Sequence, residues 1–317
     1  MIALAGGCGQ NAVPRPAPAP DLPDLYVDPS TPAATEAARW ESEGRTGDAA
    51  QLRKISDRPM ARWLGNTSAG GRAEVDAYVG RAAADNRMPV LVAYYIPHRD
   101  CGNFSTGGAA SGDAYRTWIR EVAAGIGARP ATVVLEPDAI AQALAGRCAS
   151  LRGERFALLS YAVTVLKANS ATRVYLDAGH PRWIADLAAL AGALRASGIA
   201  QADGFALNIS NFISTDENIA YGQRLSTQLG GAHFVIDTSR NGAGPVATAQ
   251  VDGGPAWCNP PGRALGPAPT TRTGRPGVDM LLWVKRPGES DGACRPGEPA
   301  AGQWWPQYAL DLAEHSP

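Results

Sequence analysis

Residues Ala131-Thr-Val-Val-Leu-Glu-Pro-Asp138 make a short, almost continuously apolar run that stops at two acids and a proline. A strand with one wet face alternates apolar and polar residues, whereas a strand covered on both faces reads as an unbroken run. Just upstream, Tyr115, Trp118, Ile119, Val122, Ala123 and Ile126 recur at the i, i+3, i+4 spacing of an amphipathic helix. Together they predict a helix laid against a buried strand. Similar runs lie at 25–27, 62–64, 89–95, 173–177, 204–209, 233–237 and 280–285, with amphipathic segments between them. One such segment opens with Ser214-Thr-Asp-Glu217, the residues of a capping box. Strand and helix in alternation predict a parallel sheet, since successive strands joined by a crossover helix point the same way. Seven or eight such units in residues 25–317 predict an α/β fold, a distorted parallel (β/α) barrel of seven or eight strands in a single domain.

That barrel is expected to occupy residues 25–317. Ahead of it, 13–24 is rich in proline and favours extended polyproline II, so it reads as a linker. The first residues, Met-Ile-Ala-Leu-Ala-Gly-Gly-Cys8, look like the end of a truncated export signal, with small residues before the cysteine as at a lipoprotein cleavage site. Residues 1–24 are therefore expected to be a signal-like start and linker, with Cys8 as a candidate lipid anchor. The expected location is secreted or attached to the cell envelope.

Hydrophobic residues at 45% are enough for a large core. Twenty-nine Lys and Arg against thirty Asp and Glu leave a net charge of -1, so no basic surface is available for phosphates and nucleic acid is not an expected partner. Cys101, Cys148, Cys258 and Cys294 contain no C-x-x-C pair and stand near no histidines at ligand spacing, which disfavours zinc. In an exported protein they predict two disulfides, with three connectivities open.

Polar residues follow most of the strand runs: Asp100, Asp138, Asp177, Asn208, Asp237 and Asp291. One aspartate in such a place is ordinarily a helix cap. Several on one rim repel one another, a cost that points to function. Glycoside hydrolysis needs several carboxyls and no cofactor: one protonates the leaving oxygen and another assists water or the sugar cation. Metal-assisted hydrolysis is the competing chemistry, but His98, His180, His233 and His315 show no pairing pattern. Trp63, Trp183 and Trp257 lie in or just after the strand-end segments, where an indole face can stack on a pyranose, whereas Trp40 and Trp118 belong to helix packing.

Six segments then carry a resemblance. Tyr94-Tyr-Ile-Pro-His-Arg-Asp100-Cys-Gly-Asn, Leu135-Glu-Pro-Asp138, Leu176-Asp177-Ala-Gly-His180, Ile236-Asp237-Thr-Ser-Arg240-Asn-Gly, Trp257-Cys-Asn-Pro-Pro-Gly-Arg263 and Lys285-Arg-Pro-Gly-Glu289-Ser-Asp291-Gly resemble, in order, the motifs of glycoside hydrolase family six, the inverting cellulases. The actinobacterial, mycobacterial-type members are the most similar in pattern. The resemblance implies Asp138 as general acid, with Asp100 as the neighbour that raises its pKa and assists the sugar cation or a proton relay. It implies Asp291 as base, directly or through water, and Asp177 as a supporting acid of the catalytic group. Tyr94 is the residue that distorts the reactive sugar. Substrate contacts would come from Trp63, Trp183, His180, Asn208, Trp257, Lys285 and Glu289.

The resemblance also implies the pairs Cys101 with Cys148 and Cys258 with Cys294. Where relatives carry a serine on a mobile loop this chain has Thr106, with Ser105 beside it and glycines 102, 107, 108 and 112 around it. Only Gly292 and Ala293 separate Asp291 from Cys294, too few for a roofing loop, so the groove is expected to be open and the attack internal. The implied activity is that of a monomeric endo-β-1,4-glucanase acting on a β-1,4-glucan polysaccharide without metal or cofactor. The runner-up is a catalytically weak cell-envelope protein that binds glycan.

Overall fold

In the computed structural model the described residues are 22–65 and 71–317, so Cys8 and most of the 1–24 segment lie outside them. Seven strands form one parallel sheet in chain order: β1 (Arg62–Leu64), β2 (Val90–Ala93), β3 (Ala131–Leu135), β4 (Thr172–Asp177), β5 (Gly204–Leu207), β6 (His233–Asp237) and, after the hairpin β7 (Gln250–Val251) and β8 (Gly254–Pro255), β9 (Val278–Leu282). The helices are α1 (Pro32–Ser42), α2 (Thr46–Ser56), α3 (Arg72–Ala84), α4 (Gly112–Ile126), α5 (Ala139–Leu144), α6 (Arg152–Lys167), α7 (Leu187–Ala196), α8 (Thr215–Gln228) and α9 (Pro306–Glu314).

The sheet curls into an incompletely closed barrel. β1 and β9 share no ladder; the Ala61 N–H donates to Trp283 O at 3.0 Å and the Trp63 indole N–H to Val284 O at 2.8 Å, and these bonds span the gap. Along each strand alternate residues point to opposite faces. Val92, Val134, Tyr175, Ala206, Val235 and Met280 fill the interior, while Leu91, Val133, Leu176, Phe205, Phe234 and Ile236 pack outward beneath the helices. Both faces are buried, which is why the strands read as continuous apolar runs.

The six apolar residues expected on α4 are all buried, as are Trp40 and Trp118. Ser111 caps α4 by accepting from the Ala114 N–H at 3.2 Å. The capping box at 214–217 forms only by half: the Ser214 hydroxyl accepts from the Glu217 N–H at 3.3 Å, but the Glu217 carboxylate turns to Arg182. The run at 25–27 is not a strand of the sheet, since it makes one parallel bridge, Leu25 with Met88, just before β2 begins.

Cys101 is bonded to Cys148 and Cys258 to Cys294, the pairing the resemblance implied. Replacing Cys258 and Cys294 by serine opens a loop with a separation of 36 residues. The expected cost is about 4 kcal/mol on the chain-entropy account, read by urea unfolding without reductant. An unchanged midpoint would contradict it.

Candidate active site

The C-terminal ends of the strands open into one groove of about 800 Å³. Tyr94, Asp100, Asp138, His180, Trp183, Lys285, Glu289 and Asp291 line it, together with Trp63 and Trp257.

Asp138 stands three residues beyond β3, at the start of α5, in left-handed conformation with φ 69°. In that position it could cap the helix, but it does not: its side chain accepts no cap bond and, among the described residues, no donor reaches its carboxyl. The carboxyl is free to face the groove. Burial pushes its pKa well up; Asp177 and then Asp100 add to the rise, and Arg155 opposes it. A carboxyl with no donors and two acidic neighbours holds its proton.

Asp177, the last residue of β4, does not reach the groove. It is buried, its Oδ2 accepts the Asp138 backbone N–H at 2.7 Å and its Oδ1 accepts the Gly179 N–H at 3.4 Å. Burial raises its pKa to about 7. The expectation that Asp100 is the main neighbour raising Asp138 is corrected on this point: Asp177, directly behind, contributes more. The Asp100 carboxylate accepts from the Gln142 amide at 2.8 Å and the Ser105 N–H at 2.7 Å. Gln142 lies on α5, four residues after Asp138, and its backbone N–H donates to Asp138 O at 2.8 Å.

On the other wall Asp291 is in the opposite state. The Arg240 guanidinium grips it with two bonds at 2.8 and 3.0 Å, Lys285 Nζ stands 3.3 Å away, and the Asn259 N–H donates at 3.0 Å. Burial resists its charge, but the two cations and these donors win and hold its pKa below the usual carboxylate value. Arg240 has no exposed surface, and its charge is matched by this carboxylate. One wall therefore carries an acid pressed toward its protonated form and the other an acid held toward its anion.

The aromatic residues are held by their own contacts. Trp63 meets Tyr94 edge to face at 5.3 Å, and Arg99 lies 4.6 Å over the Tyr94 ring while donating to the carbonyls of Gly65, Tyr94 and Ser105. The loop carrying Thr106 is bonded to itself, with Arg99 N–H to Gly107 O at 3.0 Å. Gly108 is required there: a Cβ would stand 2.0 Å from Ile96 O. Phe104 at the loop tip packs over Gly292 and meets Trp257 at 5.9 Å, so the two walls touch at one aromatic contact.

Among the described residues Cys258, Cys294 and Glu298 are close enough together to hold a metal ion, but the sulfurs are joined to each other and Glu298 accepts from Asn259, Arg295 and backbone N–H groups.

The residue pattern of the glycosyl hydrolases family 6 matches residues 22–316. The chain belongs to that family. Endoglucanase A of Cellulomonas fimi is 46% identical over 294 residues, covering 92% of this family 6 chain and 61% of the relative, so the chain spans about three fifths of that protein. Endoglucanase 1 of Streptomyces halstedii is 44% identical over 296 residues, with 91% and 88% covered. The structure of the endoglucanase Cel6 from Mycobacterium tuberculosis, in complex with a methyl-cellobiosyl-4-deoxy-4-thio-β-cellobioside, superposes with a TM-score of 0.84 at 46% identity, covering 92% of this chain and 97% of that one.

Against the family 6 expectations, one site residue is misplaced. Asn208 has no exposed surface and its amide is spent on Asp237 O at 2.8 Å and the Ile213 N–H at 3.1 Å, so it braces the β5 end and is corrected from a sugar contact to framework. Asp237 is framework too, its carboxylate accepting from the N–H groups of Ser210, Ser239, Val284 and Lys285. His180 lines the groove, and burial lowers its pKa to about 4, so it stays neutral. Sequence reasoning assigned no role to Arg99, Gln142, Arg155, Arg240 or Asn259. Arg99, Arg240 and Asn259 stood inside quoted motifs, and Gln142 was marked only by its spacing from Asp138.

Proposed function

We propose that this family 6 chain hydrolyses internal β-1,4-glucosidic bonds of cellulose or a related β-glucan with inversion, Asp138 acting as general acid. The observation that carries the reading is the Asp138 carboxyl: open to the groove, without a hydrogen-bond donor, and pressed toward its protonated form by burial and two acidic neighbours. Such a group gives its proton to a leaving glycosidic oxygen near neutral pH.

As the bond breaks the sugar gains positive charge, which the Asp100 carboxylate and ionised Asp291 stabilise. Asp291 draws its low proton affinity from Arg240 and Lys285, so it orients the attacking water and accepts its proton only late or through a relay. Tyr94 crowds the reactive sugar, and the three tryptophans supply stacking faces. Lys285 and Glu289 offer polar contacts to the adjoining unit.

Internal attack requires a chain to enter from the side. The Phe104–Trp257 contact is the obstacle, and an aromatic pair adds only about 0.5–1.5 kcal/mol, less than seating several sugars returns. The names of the relatives as endoglucanases support the same mode. Two disulfides support export to an oxidising compartment.

The test is the anomer first released from cellopentaose, followed by NMR. Inversion at a β bond predicts α product that then mutarotates. Initial β product would contradict the mechanism.

A further inference from the structure

We propose that Arg155 is a positioning residue for this hydrolysis: one buried guanidinium ties the segment carrying Asp100 to the segment carrying Asp138 and supplies the positive charge their acidic cluster otherwise lacks. The inference rests on the reading of Asp138 as acid.

Arg155 is 2% exposed and, among the described residues, no carboxylate comes within ion-pair distance of it. A buried cation without a partner is costly. Its place in the first turn of α6 adds to the cost, since a helix N-terminus repels positive charge. Its three contacts account for its position. The guanidinium donates to His98 O at 2.6 Å, two residues before Asp100, and to Ala139 O at 3.4 Å, one residue after Asp138; it also lies 3.7 Å from Cys148 Sγ.

Two of the three contacted residues, His98 and Cys148, have strained backbone, and the third, Ala139, follows directly on strained Asp138. His98, Asp100, Cys101, Glu136, Asp138 and Cys148 all have φ between 48° and 69°, six of the eleven non-glycine residues with positive φ among those described. Such conformations persist where the surroundings over-determine them, and they gather at sites that need fixed geometry. Arg155 and the Cys101–Cys148 bond together do that here. Facing the guanidinium are Glu136, the Tyr94 phenol, Asp100 and Asp138. Asp138 in turn faces Asp177, Asp100 and Arg155, so Arg155 is the cation that keeps its proton from being held too tightly.

Lysine at 155 keeps the charge but cannot fork to two carbonyls, whereas methionine removes both charge and donors. Steady-state rates on cellopentaose across pH separate the two functions. Arg155→Lys should lower kcat at least ~10-fold with KM within about twofold, its alkaline limb staying with the wild type. Arg155→Met should lower kcat further and move the alkaline limb to higher pH, because Asp138 loses the one cation that, among the described residues, opposes its acidic neighbours. A merely structural role would not move that limb. Wild-type kcat in Arg155→Lys overturns the proposal, as does an unmoved limb in a folded Arg155→Met; if the methionine variant does not fold, the lysine variant decides. A wild-type protein that cleaves nothing would instead overturn the acid assignment itself.

Discussion

Asp138→Asn lowers turnover on cello-oligosaccharides by roughly 10²- to 10⁴-fold with little change in KM, and the alkaline limb of the pH profile disappears. The amide fits the same space but has no proton to give. The loss depends on the leaving group: an aryl cellobioside whose phenol departs without protonation should recover most of its rate, while a sugar leaving group should not. A second consequence follows from the repulsion inside the cluster. Asp177 and Asp100 both raise Asp138, so the neutral variant relieves an interaction that works against folding, and it should be at least as stable as the wild type at pH 8. Near-normal turnover on cellopentaose would remove Asp138 from the mechanism.

Arg240→Met destabilises the fold by about 3–5 kcal/mol in urea unfolding, the cost of stripping one partner from a buried ion pair. Among the described residues Asp291 would keep Lys285 at 3.3 Å and the Asn259 N–H, so its pKa climbs and the anion is lost from that wall. The pH dependence has a definite sign. Asp291 has a depressed pKa in the folded state, so its contribution is present above the unfolded value near 3.9 and is lost as pH falls through the folded one. Asp177 and Glu136 are raised to about 7, so theirs is fully present below about 4 and lost as pH rises through about 7. Stability of the wild type is therefore expected to peak on the acid side of neutrality. The Arg240→Met protein should lose the anchor that protects the acid limb. A destabilisation under about 1 kcal/mol would show that the pair contributes little.

The parallel sheet was legible because its strands are buried on both faces, and burial on both faces leaves a run such as 131–135 that no helix of that length explains. The same logic misread 25–27, which is equally apolar but meets only Met88 at the entrance to β2. Strand-end acids were legible as a set but not by depth. Asp177 and Asp138 look alike in sequence, yet one is the last residue of a strand and turns behind the other. Asn208 followed the same pattern and went inward, because the β5 end needs its amide to satisfy the Asp237 and Ile213 backbone. Arg155 could have been found: it sits three, four and seven residues before Leu158, Leu159 and Ala162, a charge on the buried stripe of its helix. Arg240 stood inside a quoted motif, but its partner was not legible, since only the fold brings it to Asp291, 51 positions away.

The most direct test is the titration of Asp138 itself, by carboxyl ¹³C NMR of aspartate-labelled protein with Asp138→Asn to assign the resonance. A carboxyl that keeps its proton far above the ordinary aspartate value of about 3.9, and loses it along the alkaline limb of activity, is the predicted result. An Asp138 resonance that titrates near 4 would contradict the account.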